Sequence, residues 1–496
     1  MTKPRSHAAL ASGAAALSLL LASTTAEAQA TPLPESIPVG AWTFRPSVEL
    51  RLRGEYRHAL FEAGGVLFAQ SGVFGDAPGT NLPPQVPTTI RPPIIENAWA
   101  LSERARIGLA VDRGPVTAAL VLQDSRALAA SPGVVVFGEG RLPPGIDLFE
   151  AYFDVHAKNR RVWFRLGRQR VVWGDGRLIG ESNFTQNPRA LNAARFGFSV
   201  KSFDVDILGA LIGNPLTAIG AASGASPGTG SGATETSPIV ASAGSQLYGV
   251  HAVWHALPLL HPELTAIARV VRPPGGFLIT PSDTFVIDAR LSGDRRGFRY
   301  AVEGAYELGR ISSFGGNRDV SAFAGAARVT WETALPGHLT FGAQGSYASG
   351  DNGNTDPLST QTRFDPILPE ERPMHGRMGL YGWSNSIEAG GDIAARPIDA
   401  LSLDVGYRFV GLAEPKGRWS TASLLAVGSS PTNTSRVLGH QIDAAVGVRV
   451  WDPLAIEAGY GLFLTGEGAK NILDAVGRGR PGAQHFGYLQ ATLRAP

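Results

Sequence analysis

Residues 47–57 alternate one for one: Val48, Leu50, Leu52, Gly54 and Tyr56 against Glu49, Arg51, Arg53, Glu55 and Arg57. A period of two marks a β-strand with unlike faces. A soluble sandwich alternates in the same way, so this stretch alone does not choose between sandwich and barrel. Repetition narrows the choice, because about eighteen segments of strand length follow one another. They are 47–57, 99–112, 116–126, 147–155, 162–170, 192–200, 203–213, 246–254 and 263–271. After these come 284–292, 298–309, 320–331, 339–349, 385–395, 401–411, 436–450, 454–464 and 485–493. A tilted strand crosses a membrane in roughly 9–11 residues, the length of most of these segments.

The connections discriminate further. Long segments (59–98, 127–146, 171–191, 214–245, 350–384, 412–435, 465–484) take turns with short ones (113–115, 156–161, 201–202, 293–297, 396–400, 452–453). Only 272–283 and 310–319 are intermediate on the long side. Two packed soluble sheets have no reason to keep this rhythm, whereas an outer-membrane barrel has short periplasmic turns and long external loops. The order puts both termini in the periplasm. Residues 221–237 are Gly, Ser, Ala and Thr with almost no apolar bulk, as in a mobile external loop. Trp254, Trp331 and Trp451 end downward strands and Trp163 and Phe298 begin upward ones, which predicts an aromatic girdle at the periplasmic interface.

Composition agrees. The chain has no Cys, which excludes disulfides and thiolate metal sites. Mean hydropathy is +0.01, and no apolar run after the N-terminal segment is long enough for a membrane helix. Charged residues are 17%, against about 25% in an average soluble domain. The 61 Gly and 35 Pro suit a chain of many turns. At the N-terminus, Lys3, Arg5 and His7 precede the small-residue and Leu-rich run 8–22, and Ala26-Glu27-Ala28 offers a cleavage site before Gln29. That is a secretory signal peptide; Ala28-Gln29-Ala30 is a close alternative site. The predicted organisation is thus all-β: signal peptide 1–28, a periplasmic N-terminal segment 29–46, and a transmembrane antiparallel β-barrel of about eighteen strands over 47–496.

If Val, Leu and Ile face lipid, the positions between them face the lumen. That assigns inward Arg51, Arg53, Arg104, Arg106, Asp124, Arg126, Glu150, Asp154, Asp204, Asp206, Asp288, Arg290, Arg299, Glu303, Glu307, Asp404 and Arg408. An Arg near the midplane of the lipid face would cost about 2–4 kcal/mol. Arg165, Arg168 and Arg170 do not share one parity, so a bulge or emergence from the membrane is expected near Arg168. Arginine is densest over 160–200, where Arg165, Arg168, Arg177, Arg189 and Arg195 lie in strand and loop. A guanidinium fork grips carboxylates, and acids such as Asp124 and Asp175 would hold the forks rigid. The competing reading of any single Arg–Asp pair is a brace across the wall; the local excess of Arg favours a path for anions.

Two sets of motifs resemble the alginate-export family of outer-membrane barrels. The first is Gly167-Arg168-Gln169, Gly174-Asp175-Gly176-Arg177-Leu178-Ile179-Gly180 and Arg189. Leu191-Asn192 stands where that family usually has Phe-Asp, so one lumen acid is missing. The second is Tyr347-Ala348-Ser349-Gly350-Asp351, Arg363-Phe364-Asp365-Pro366-Ile367-Leu368-Pro369 and Trp383-Ser384-Asn385. Gly439-His440-Gln441-Ile442-Asp443 and Glu457-Ala458-Gly459-Tyr460-Gly461 resemble its later strands. The resemblance implies a monomeric barrel that passes an alginate-like anionic polysaccharide outward through an electropositive constriction gated by a loop, with 350–384 the first candidate. It implies as partners the anionic saccharide, outer-membrane lipid and lipopolysaccharide, and a periplasmic export complex, with no nucleic acid. A general or uronate-uptake porin is the alternative, and a loop-based adhesin or enzyme a further one. The chain departs from most outer-membrane barrels in ending on Leu493-Arg494-Ala495-Pro496 rather than on an aromatic residue.

Other chemistry finds little purchase. Residues 351–356 look like an oxygen-ligand loop for Ca²⁺ but lack the spaced bidentate Glu of an EF-hand. No Gly-Lys-Ser/Thr follows Gly174-Asp175-Gly176, so it is not a phosphate loop. His58, His251, His261, His440 and His485 lack metal-ligand spacing. Neither a catalytic residue nor a cofactor is expected.

Overall fold

The computed structural model describes residues 35–60, 95–130, 146–159, 161–186, 188–212, 245–255, 259–272, 282–313, 316–352, 359–370, 372, 374–422, 424 and 426–496. The expected signal peptide 1–28, the stretch 221–237, and most of 59–98, 127–146, 214–245, 272–283 and the Ca²⁺-like loop 351–356 lie outside the described residues.

A short strand β1 (Ile37–Val39) folds back on β2 (Trp42–Leu60), the first strand of the barrel. Next come β3 (Ile95–Arg113), β4 (Val116–Ala130), β5 (Asp147–His156), β6 (Val162–Gln169), β7 (Leu191–Val200), β8 (Phe203–Ile212) and β9 (Ser245–Trp254). The meander continues through β10 (His261–Val271), β11 (Ser282–Arg295), β12 (Phe298–Ser313), β13 (Gly316–Glu332), β14 (Thr340–Ala348), β15 (Ser386–Ile398) and β16 (Leu401–Gly411). A small ribbon, β17 (Trp419–Ser420) and β18 (Ala426–Gly428), precedes β19 (Val437–Trp451) and β20 (Leu454–Thr465). A helix α1 (Glu467–Ala475) leads to β21 (Ala483–Ala495).

Leaving aside β1, β17 and β18, eighteen strands pair antiparallel in chain order. β21 returns to β2, with Val48 opposite Ala495 and His58 opposite His485, so the sheet closes on itself. Closure leaves no edge of unpaired N–H and C=O groups, the condition for a sheet in hydrocarbon. Each of the eighteen predicted segments coincides with one barrel strand. The first starts earlier than predicted: 42–46, read from the sequence as periplasmic, belong to β2, which is 19 residues long. The helix was missed because it is nine residues in a segment read as loop. Its buried face, Ala469, Ile472 and Leu473, has the i, i+3, i+4 spacing of a helix and packs on Leu438, Trp419 and Phe463.

Alternation sets the two faces. Leu50, Leu52, Ile107, Ile287, Val302 and Val405 are among the many large apolar side chains exposed on the outside. An apolar surface running round a whole barrel is a lipid-facing surface. At the short-turn rim Phe203 stacks on Trp254 and Phe298 on Trp331, with Trp451 exposed beyond them. Trp163 does not join this ring. Its neighbours Val162 and Phe164 face outward, so parity turns Trp163 inward, where the Arg195 guanidinium sits 5.3 Å from its ring. Gly197 opposite makes this possible, since a Cβ there would meet the indole at 2.1 Å. The sequence reading overlooked a second ring at the long-loop rim, where Tyr56, Trp99, Tyr248, Tyr306, Phe323, Tyr347, Tyr407 and Tyr460 are exposed.

Ile287 lies mid-strand on the outer face, beside the inward Asp288. Ile287→Arg is expected to destabilise the barrel in lipid vesicles by about 2–4 kcal/mol, and Ile287→Phe hardly at all. Equal urea midpoints for the two variants would mean that this face does not meet hydrocarbon.

Candidate functional site

The inner wall of β2 and β3 carries Arg51, Arg53, Arg104 and Arg106 in adjacent rows, and the first three are at most 4% exposed. A buried guanidinium must have acceptors. Acids supply some: Arg104 donates to Glu49 at 2.9 Å from Nε, and Arg53 to Glu55 at 3.0 Å. Arg106 lies 3.7 Å from Glu49, bonds Gln123 at 2.7 Å and rests on the Phe149 ring. Gln490 Oε1 on β21 accepts from Arg53 Nε at 2.9 Å, and backbone carbonyls from the connection between β6 and β7 supply further acceptors. Arg51 donates to Asn183 O at 2.8 Å, Arg104 to Thr185 O at 3.0 Å, and Arg53 to Phe184 O. Ser125 holds Gln186 O at 2.6 Å. The long segment 171–190 therefore folds into the bore.

Its other end is fixed on the opposite side. Trp173 donates to Asp206 on β8 at 2.8 Å and stacks on His251 of β9, ring centres 5.4 Å apart. Between these anchors runs the Gly174–Gly180 motif. Arg177 lies 3.2 Å from Asp175 and 3.4 Å from Glu303 on β12. Ile179 pairs in parallel with Leu368 of a second inward segment, 359–385. Gly180 N–H donates to Leu368 O, Leu368 N–H to Leu178 O and Glu370 N–H to Gly176 O, each at 2.8 Å. A Cβ on Gly180 would come within 2.8 Å of the Glu370 backbone nitrogen, so glycine is required for this approach. Arg189 staples the pair, donating to Gly180 O at 2.8 Å, Leu368 O at 3.0 Å and Pro369 O at 3.3 Å.

The second segment is held by ions and by packing. Arg363 grips Asp365 through Nε at 3.1 Å and Nη2 at 2.9 Å, and Asp351 through Nη1 at 3.0 Å. Asp365 N–H donates to Glu307 on β12 at 2.9 Å. Burial alone would raise the Asp365 carboxyl, but Arg363 and Arg418 outweigh it and hold the group well below the usual carboxylate range. Arg377 reaches Asp404 at 2.6 Å, Tyr488 Oη at 2.6 Å and Glu457 at 3.3 Å, tying the segment to β16, β20 and β21. Phe184 lies between Arg53 of the wall, 4.3 Å from its ring, and Arg372 of the second segment, 4.4 Å away. Phe364, Ile367, Leu368 and Trp383 pack with Val171, Trp173 and Ile179 against Ala305, Ala322, Ala324 and Ala348 of the wall. The bore thus has an apolar cluster packed along β7–β14, beside the ion pairs of those strands, and a row of arginines along β2 and β3.

The thirteen candidate residues fall into distinct places. Arg51, Arg53, Arg104 and Arg106 form the charged wall. Asp175, Arg177 and Arg189 lie within the inward segment. Arg165 faces inward to Asp154 at 2.8 Å, Arg195 to Asp206, and Arg290 to Glu263. Arg168 takes the parity of Leu166, next to Gly167 with φ +127°; the strand ends at Gln169, and Arg170 turns in to Glu150 at 3.1 Å. Asp124 and Arg126 do not join the wall. They follow Leu120 and Leu122 on the outer parity, while Gln123 and Ser125 are the buried inward pair. Near the long-loop rim, Arg126 bonds Asp124 and lies 3.2 Å from Glu103. Sequence reasoning passed over Glu49, Trp173, Phe184, Arg372 and Arg377, because their partners sit on other strands and segments that only the closed barrel brings together.

A closed eighteen-stranded barrel with an apolar belt and loops packed in its bore is an outer-membrane β-barrel of the porin type. Residues 280–482 match the family model described as alginate export, in agreement with the resemblance that the motifs carry. It takes in the second set of motifs and not the stretch 160–200. Among solved structures the chain is similar to OccAB1 of Acinetobacter baumannii, with a TM-score of 0.55 and 8% identity over 91% of this chain and 96% of that one. It is also similar to A. baumannii OccAB2 (0.52, 12% identity, 90% and 98% covered) and to Pseudomonas aeruginosa OccK5 (OpdH) (0.51, 9% identity, 91% and 98% covered). At such identities the likeness concerns the fold alone. No curated protein is significantly similar to this chain in sequence.

Arg189→Gln removes the guanidinium that holds the two inward segments together. Hydrogen bonds to a charged donor contribute about 1.5–3 kcal/mol, so the open fraction in single-channel records should rise by about tenfold or more. Records indistinguishable from the parent would show that the staple does not hold the segments.

Proposed function

We propose that this barrel, after loss of signal peptide 1–28, is an outer-membrane channel that passes an alginate-like anionic polysaccharide outward without covalent chemistry. The observation that carries the reading is the way the wall arginines are satisfied. Arg51, Arg53 and Arg104 take carbonyl oxygens of residues 183–185, which stand where the carboxylate oxygens of a uronate would stand. Displacing the segment would expose a row of four guanidinium groups whose acid partners among the described wall residues are Glu49 and Glu55, a surface suited to bidentate carboxylate contacts. Arg165, Arg195 and Arg290 extend the cationic lining along the path, each next to an acid that fixes its fork. The match to the alginate-export family supports the same solute class. A passive pore has no direction of its own; polymer made in the periplasm, delivered by an export complex at the short-turn rim, would leave down its gradient.

A second reading has its own support. Two segments packed in the bore narrow it, and unless they move this favours uptake of small uronates or other anions over passage of a polymer strand. The two readings part on size: a polyuronate that blocks conductance from one side supports export, and block by the monomer alone supports uptake.

Arg106 is the wall arginine that no inward carbonyl holds among the described residues, so Arg106→Glu should reverse charge with the least disturbance of the loop. In planar bilayers the variant is expected to lose anion preference while migrating as a folded barrel. A reversal potential equal to the parent's would remove the arginine row from the path, and cation selectivity of the parent would overturn both readings.

A further inference from the structure

On the outer surface, away from the bore, six adjacent strands carry a second pattern at their long-loop ends: β16, β19, β20, β21, β2 and β3. Tyr407 Oη lies 2.8 Å from His440 Nδ1. Tyr460 Oη lies 2.7 Å from His485 Nδ1. His58 Nδ1 lies 2.8 Å from Asn97 Oδ1, which also accepts from Tyr56 Oη at 2.7 Å. His58 and His485 face each other across the closing seam, ring centres 5.7 Å apart.

These side chains share the outer face with Leu52, Leu489, Ile442 and Val405 below them. They sit within a few residues of the strand ends, in the aromatic ring, the depth at which lipid headgroups begin. A tyrosine hydroxyl can donate to a neutral imidazole and accept from a charged one, so each Tyr–His pair holds its ring in place in both protonation states. Among the described residues the groups facing the three histidines are Tyr56, Asn97, Tyr407, Phe409 and Tyr460, and no acid pairs with any of them. A protonated imidazole there carries positive charge that no described residue neutralises, at a level where the adjacent anion is a lipid phosphate.

We propose that this histidine–tyrosine row is a pH-dependent contact for phosphate groups of the outer-leaflet lipid, engaged when His58, His440 and His485 are protonated. Values of about pH 7.5 and pH 5.5 lie on either side of the reference value for a histidine side chain in a peptide. The site is independent of what the bore carries.

The test uses the full barrel in detergent, with bisphosphorylated lipid A as probe and bound lipid counted by native mass spectrometry at the two pH values. Retention is expected to rise at pH 5.5 by about fivefold for each histidine engaged, the order for one basic group at an anionic membrane surface. The combined variant His58→Gln, His440→Gln, His485→Gln should flatten this dependence and leave conductance unchanged. His440→Gln alone, on the far side of β20 from the other two, should remove part of it. Equal retention by the parent at both pH values would overturn the proposal. So would a pH dependence that survives the triple change, or equal retention of dephosphorylated lipid A. Release of the lipid by inorganic phosphate alone would make this a general phosphate site and overturn the lipid assignment.

Discussion

Backbone N–H and C=O groups in hydrocarbon must find partners within the chain, and here the last pairing, β21 on β2, is the one on which the others depend. Until it forms, two strands present open edges, and the row Arg51, Arg53 has no far wall to face. Its register also fixes parity for the whole cylinder. With Leu50 opposite Leu493 and Arg53 opposite Gln490, apolar side chains fall outside and polar ones inside. A slip of one residue would turn the β2 arginines toward lipid, at about 2–4 kcal/mol for each near the midplane.

Given that cylinder, the content of the bore follows from a second requirement. Three guanidinium groups that are nearly unexposed cannot be left without acceptors, and Glu49, Glu55 and Gln490 are too few. Carbonyls of residues 183–185 make up the difference. Backbone carbonyls are neutral, so they satisfy hydrogen-bonding geometry without cancelling the charge. The wall remains attractive to a carboxylate, which would bring the same oxygens and a charge as well. An inward segment held in this way is displaceable by an anion more readily than by a neutral solute. The 171–180 half of it is another matter. There Trp173, Ile179, Phe364 and Trp383 pack with alanines of β13, a contact that no ionic solute competes for. Movement is therefore expected at the 183–186 end, with the apolar side as the fixed support.

Much of the cylinder was legible in the sequence. The period of two and the alternation of long and short connections are local properties, and they located all eighteen strands. Parity failed where one residue's chemistry was given more weight than its place in the strand. Trp163 reads as a girdle residue by type, yet it lies between Val162 and Phe164, which take the lipid. Asp124 and Arg126 read as luminal by charge, yet they continue the series Leu120, Leu122 on the outer face. They are tolerated there because they stand near the long-loop rim, where Arg126 has Glu103 and Asp124 as partners. The filling of the bore was not legible, since it depends on contacts between distant segments such as Ile179 with Leu368. Only the glycines of the 174–180 motif hinted at it, by marking a backbone that another chain approaches closely.

The two inward segments and the outer tyrosine–histidine row occupy opposite faces of the same strands, which is what a strand with a period of two permits. β2 shows it within a few residues: Arg53 and Arg57 lie on the phenyl rings of Phe184 and Phe486 inside, while Tyr56 and His58 share Asn97 outside. Because successive residues point to opposite sides, a change of lipid contact at His58 need not alter the bore, and a solute at Arg53 need not be felt at the rim. The rigid hydrogen-bonded wall between them separates the two chemistries, and this allows one thin sheet to present an apolar face to lipid and a charged face to the bore.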